Sequence, residues 1–142
     1  MPPHHCLIPM VKVIGELTYA VPIIINRQYG PAFVVDTGFT GSLAIPGSFV
    51  DDLRARGVLM KGDGVGLPVT VTLADGSEIV QETIIVREII LPGCRAFRDV
   101  RVIISPTGSV PLLGQGILSK FSTAGIDQRE HSLVLVPGGL PW

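Results

Sequence analysis

The residue pattern predicts an all-β domain carrying two short helices. Three observations lead there. Apolar β-formers recur in short runs, glycine and proline punctuate those runs, and an Asp-Gly turn stands between two alternating segments. The chain of 142 residues is long enough to bury one real core. Apolar residues make up 46% of it, but charged residues only 16% and the net charge is −1. So few charges leave apolar surface uncovered, which favours a partner. There is no basic stripe of the kind nucleic acid requires. The longest apolar runs are strand-length and too short to span a bilayer.

The elements follow in order. Residues 12–19 alternate and read as a strand. Residues 21–25 and 32–35 read as two more, joined by the turn Asn26-Arg27-Gln28-Tyr29-Gly30. Residues 43–45 form a short apolar strand after Asp36-Thr37-Gly38. Residues 46–56 are the first helix candidate. There, Ser48 with Asp51 fits a capping box, Asp51-Asp52 suits a helix N-terminus, and Gly57 suits the position just past the end. Residues 61–67 are glycine-rich and read as a loop.

The hairpin signal comes next. Val69-Thr70-Val71-Thr72-Leu73 alternates, Ala74-Asp75-Gly76-Ser77 turns, and residues 78–86 return. Residues 87–91 and 97–104 continue the sheet around Pro92-Gly93. Residues 115–121 read as the second helix, with Ile117, Leu118 and Phe121 on one face. A last strand pair spans 123–126 and 132–136. Residues 1–10 read as a flexible N-terminal segment and 11–142 as the domain.

The N-terminus, Met1-Pro2-Pro3-His4-His5-Cys6, lacks the basic-then-apolar layout of a secretory signal, so a cytoplasmic location is expected. The two cysteines, Cys6 and Cys94, are too few for a disulfide framework and are expected to be reduced. His4, His5 and Cys6 are metal-binding residue types, but a frayed terminus explains them better. His131, in a polar turn, is expected to be solvated. No cofactor and no metal site are expected.

The chemistry concentrates at Asp36. An aspartate at the mouth of the apolar run Phe33-Val34-Val35 is costly unless it is hydrogen-bonded or used. Thr37 and Gly38 tighten the turn, and Gly38 lets backbone N–H groups approach the carboxylate. The turn precedes another apolar strand, and much later Pro111-Leu112-Leu113-Gly114 opens a helix. The stretch from Val34 through Asp36-Thr37-Gly38-Phe39-Thr40-Gly41 to Pro46, with Leu112-Leu113-Gly114 and Gly116-Ile117-Leu118, resembles the retropepsin-like aspartic proteases. Within that family it is similar to the small microbial members, and the resemblance covers roughly residues 11–136. The similar first phosphate turn of actin-like ATPases would need two large lobes and further nucleotide motifs, and this chain has neither.

The resemblance implies a retropepsin-like acid-protease barrel, closed or partly open, with one lobe per chain, acting as a homodimer on a peptide or protein substrate. It implies that Asp36 is the catalytic carboxylate. Thr37 would lock the two active-site loops across the dimer axis, and Gly38 would support the carboxylate. The hairpin Leu73, Ala74, Asp75, Gly76 and Ser77 lies where the family carries its flap, and Phe39 and Leu113 would border the cleft. Many members carry Ala or Ser after the glycine, and Phe39 departs from that. Phe39 therefore keeps open a second reading, a non-enzymatic dimeric binding or scaffold module on the same fold. Peptide hydrolysis by this route needs two carboxylates, one to take a proton from water and one to give a proton to the carbonyl. The chain holds one Asp-Thr-Gly, so a C2 partner is expected to supply the second Asp36.

Overall fold

A computed structural model describes residues 6–12, 19–59, 64–72, 75–106 and 108–137. In chain order the strands and helices are β1 Cys6–Pro9, β2 Val11–Lys12, β3 Tyr19–Ile25, β4 Gln28–Val35, β5 Leu43–Pro46, α1 Gly47–Ala55 and β6 Gly64–Thr72. There follow β7 Glu78–Leu91, β8 Arg95–Ser105, β9 Leu112–Leu113, α2 Gln115–Leu118, β10 Phe121–Asp127 and β11 Ser132–Pro137. The described chain is therefore mostly β with two short helices. The expected strand at 12–19 lies largely outside the described residues.

The strands form a three-stranded sheet ordered β1-β11-β10 and an eight-stranded sheet ordered β2-β3-β4-β9-β5-β8-β7-β6, in which β3 also pairs with β7. Alternation decides which faces turn inward. In β1, Cys6 and Ile8 are buried while Leu7 and Pro9 are exposed. The inward faces meet in one core with Ile23, Phe33, Leu43, Ile45, Leu53, Ile89, Leu91, Leu113, Ile117 and Leu133 among its members. Burial of such side chains is the main favourable term in folding, at roughly 1.5–3 kcal/mol each.

Several expectations are corrected. Residues 6–9 are not a flexible segment. They pair with β11 from Cys6↔Leu135 to Pro9↔Ser132 because their alternating apolar side chains reach the core. The five-residue turn after β3 shrinks to Asn26-Arg27, both at positive φ (46° and 69°), as a two-residue hairpin requires. Asn26 is buried and satisfied, donating from Nδ2 to the Val58 carbonyl and accepting the Glu88 amide at Oδ1. The glycine-rich stretch is strand from Gly64 onward. A Cβ on Gly66 would collide with Thr83 Oγ1, so here glycine permits a close strand pass rather than a loop. Pro68 sits on β6, the last strand of its sheet, where a missing N–H is tolerated, and the register shifts between Gly66 and Val69.

The first helix starts at Gly47 behind Pro46, with no side-chain cap hydrogen bond, so Ser48 and Asp51 form no capping box and Asp51-Asp52 lie past the first turn. Its C-terminus closes as expected. Gly57, at φ +71°, donates to the Arg54 carbonyl, and Val58 donates to the Leu53 carbonyl. The second helix ends at Leu118. Phe121 instead opens β10, opposite Pro137, with its ring edge-on to Phe97.

The expectation of reduced cysteines is also overturned. Cys6 and Cys94 are joined by a disulfide that ties β1 to the turn between β7 and β8. Cys6 points inward with Ile8, and the turn at Pro92-Gly93 brings Cys94 to meet it. Such bonds persist mainly in oxidising compartments. Among the described residues, no helix is long and apolar enough to cross a membrane.

Candidate active site

The site is built where β9 slots between β4 and β5. It runs parallel to β4 (Val34↔Leu112, Val35↔Leu113) and antiparallel to β5 (Leu43↔Leu113, Ala44↔Leu112). Residues 36–42, which join β4 to β5, must therefore arch over the end of β9 and the start of α2. Backbone bonds pin that arch along its length. Asp36 donates to the Leu113 carbonyl at 2.9 Å, and Gly114 donates to the Ser42 carbonyl at 2.9 Å. Gln115 donates to the Phe39 carbonyl at 2.8 Å, and Gly116 to the Gly41 carbonyl at 2.9 Å. The Gln115 side chain adds a bond from Nε2 to the Thr37 carbonyl at 3.1 Å.

Glycine is required at this junction by close approach. A Cβ on Gly114 would lie 2.5 Å from the carbonyl oxygens of Gly41 and Phe39, and one on Gly116 would meet the Ser42 backbone. Contacts this short with backbone cannot be relieved by a rotamer change. The segments that carry Asp36-Thr37-Gly38 and Leu112-Leu113-Gly114, distant in sequence, are thus physically interlocked.

Asp36 is half-buried at the mouth of β4, and its Oδ1 accepts the Gly38 amide at 2.9 Å. A Cβ on Gly38 would crowd that same oxygen at 3.3 Å. Thr37 and Gly38 are exposed. The ring of Phe39 lies over Gly41 and Gly114: ideal Cβ atoms there would sit 2.6 Å from its Cζ and 2.5 Å from its Cδ2. The bulky residue is accommodated because these two neighbours have no side chain.

A cleft of about 720 Å³ opens against the arch, lined by Gly38 to Ser42 and not by Asp36 itself. One wall is the arch from Gly38 to Ser42 with Gly116, and the other is residues 69–72 of β6, with Arg101 and Ile103 between them. The strand leading into the hairpin turn therefore faces the Asp36 arch across open space. At the turn, Asp75 Oδ1 accepts both the amide and the hydroxyl of Ser77, and Gly76 takes φ +85°. Those two bonds, the hydroxyl bond first, hold the Asp75 carboxyl below its usual range. Asp75, Gly76 and Ser77 are exposed at the tip and do not line the cleft. Leu73 and Ala74 lie outside the described residues. Leu113 is fully buried and serves the site through its carbonyl, with its side chain in the core. His4 and His5 lie outside the described residues, and the sulfur of Cys6 is taken by its disulfide.

Sequence reasoning missed the cleft-facing side of β6, Arg101 and Ile103. The alternation of residues 69–72 signals two faces but not which one meets the arch. Nothing in the sequence marks Arg101.

A retropepsin-like aspartic protease from Rickettsia conorii superimposes with a TM-score of 0.63 at 18% sequence identity, covering 94% of this chain and 91% of that one. The chain has a retropepsin-like fold. No protein-family model matches the chain, and no curated protein does. The likeness is therefore one of fold.

Proposed function

We propose that the chain is an aspartic endopeptidase whose active site forms between two copies. The observation that carries this reading is the Asp36 carboxylate, held by the Gly38 amide on an arch whose residues 38–42 line a cleft walled by a hairpin strand. A cleft between a fixed arch and a hairpin suits an extended peptide.

In the proposed mechanism two Asp36 carboxyls, one from each copy, meet within hydrogen-bond reach and share one proton, because two adjacent carboxylates resist ionising together. The ionised member takes a proton from water, and the resulting hydroxide adds to the scissile carbonyl carbon. The protonated member gives its proton to the carbonyl oxygen. The tetrahedral diol then collapses with cleavage of the C–N bond: the protonated member gives its proton to the leaving amine, and the ionised member takes one from a diol hydroxyl, which restores the shared proton. No covalent enzyme intermediate is needed. Thr37 is exposed on the arch, and in this reading it would meet its counterpart in the partner. The additional pairing of β3 with β7 supports the reading of a closed barrel behind the site.

The test is incubation of wild-type and Asp36→Asn protein with a diverse peptide mixture, read by mass spectrometry, alongside sedimentation at micromolar concentration. Wild type should cleave and sediment at about twice the chain mass, since interfaces of this kind commonly bury over about 1,000 Å². The Asn variant should keep its fold and its dimer and lose cleavage. Comparable cleavage by the variant, or by a strict monomer, rules the shared site out. A wild-type dimer that binds peptides without cutting them would instead be a binding module.

A further inference from the structure

A second groove, of about 440 Å³, lies along β8 and the end of α2. It is lined by Arg95, Arg98, Arg101 and Lys120, four of the chain's eleven lysines and arginines, against one acid, Asp99. In a chain of net charge −1 this is a strong local excess of positive charge. Glu88, across the β7–β8 pair, reaches Arg98 at 3.8 Å but is shared with Arg27 at 3.6 Å, and the Arg98 side chain remains 75% exposed. Arg101 and Lys120 are exposed as well.

The groove is not separate from the cleft. Ser42, Arg101 and Gly116 line both, so the two spaces share a border at these residues. We infer that the groove is a specificity subsite that receives an acidic segment of the polypeptide lying in the cleft. A peptide is favoured over other polyanions because the cleft that shares these three residues is walled by β6, whose outer edge has no strand neighbour among the described residues and can accept an extended chain. Arg101, at the junction, would engage the acidic side chain nearest the cleft, with Lys120 and Arg98 engaging those farther along. Such a patch steers acidic substrates and discriminates among them, and salt weakens it.

This inference rests on the protease reading, and its test separates the two. Short fluorescent peptides ending in Asp-Glu-Asp, or in the uncharged Asn-Gln-Asn, are titrated by anisotropy against full-length Asp36→Asn protein, with the charged end at either terminus. For one of the two orientations the acidic peptide should bind roughly tenfold more tightly at low salt, and the gap should close as salt rises from about 50 to about 500 mM. Arg101→Glu/Lys120→Glu should reverse the preference, and the milder Arg101→Gln/Lys120→Gln should erase it. Equal binding of the two peptides, or a preference that survives charge reversal, overturns the subsite. So does a single-stranded oligonucleotide that displaces the acidic peptide and binds more tightly. Wild-type cleavage of peptides without acidic preference would sink the subsite alone. Acidic preference without cleavage would sink the protease reading alone.

Discussion

The Gln115 side chain donates to the Thr37 carbonyl at 3.1 Å, bridging 78 residues of sequence to hold the middle of the Asp36 arch. Gln115→Ala removes this bond and leaves the backbone bond from Gln115 to Phe39 in place. The stability cost should be about 1 kcal/mol, a drop of roughly 3–4 °C in Tm. The loss in kcat/KM should exceed what that stability loss explains, because the bond positions the turn that carries Asp36. Melting curves and peptide cleavage on the same samples check both.

The glycines around Phe39 separate backbone obstacles from side-chain ones. Gly114→Ala sets a methyl against two carbonyl oxygens and should cost about 2–4 kcal/mol. Gly41→Ala meets chiefly the Phe39 ring, which can be removed. Its cost should shrink in the Phe39→Ala background, whereas that of Gly114→Ala should persist. Gly125→Ala, in open space, should stay within about 0.5 kcal/mol of wild type. Urea unfolding of the singles and doubles gives the coupling. Equal coupling of Phe39 to both glycines would contradict the geometry.

The hairpin tip should respond to acid. Folding lowers the Asp75 carboxyl from 3.8, mainly through the Ser77 hydroxyl and then the Ser77 amide. A depressed folded value means that the turn's ordering is fully present above the unfolded value and is lost as pH falls through the folded one. The Ser77 amide resonance should therefore titrate with a midpoint below 3.8. In Ser77→Ala the midpoint should move up toward the ordinary value. A midpoint unmoved by that change would show that the hydroxyl does not hold the carboxylate.

The Cys6–Cys94 bond spans a sequence separation of 88. Cys6→Ser/Cys94→Ser should lose about 2–4 kcal/mol of stability, and wild type without reductant should show no reactive thiol even when unfolded. Thiol titration in denaturant is the direct check, and a full count of two thiols would remove the bridge.

Much of this architecture was legible because local chemistry and tertiary packing agree. Asp75-Gly76 marked its hairpin, and Thr72 does pair with Glu78 across it. Gly57 marked the end of α1. Asp36-Thr37-Gly38 and Leu112-Leu113-Gly114 were visible as motifs, and the structure brings them together. The failures occur where a residue serves a distant partner. Gly64 and Gly66 resemble a loop unless Thr83 is known to lie against Gly66. Phe121 fits the apolar face of a helix, yet is drawn into β10 opposite Pro137. The cleft wall on β6 and the shared position of Arg101 arise from how strands are stacked, which no local pattern encodes.

The disulfide has a topological consequence. It closes a covalent ring from Cys6 to Cys94 that contains Asp36 and the hairpin turn, while Leu113, Gly114 and Gln115 lie outside it. A single backbone cut anywhere inside the ring, by the protein itself or by another protease, leaves the two fragments tethered. They would run as one band until reductant is added. A cut between Cys94 and Leu112 frees the segment that braces the arch, leaving β9 held between β4 and β5 by non-covalent contacts alone. Nicking on one side of Cys94 therefore leaves one covalent molecule, and nicking on the other side leaves the clamp on Asp36 attached by non-covalent contacts only.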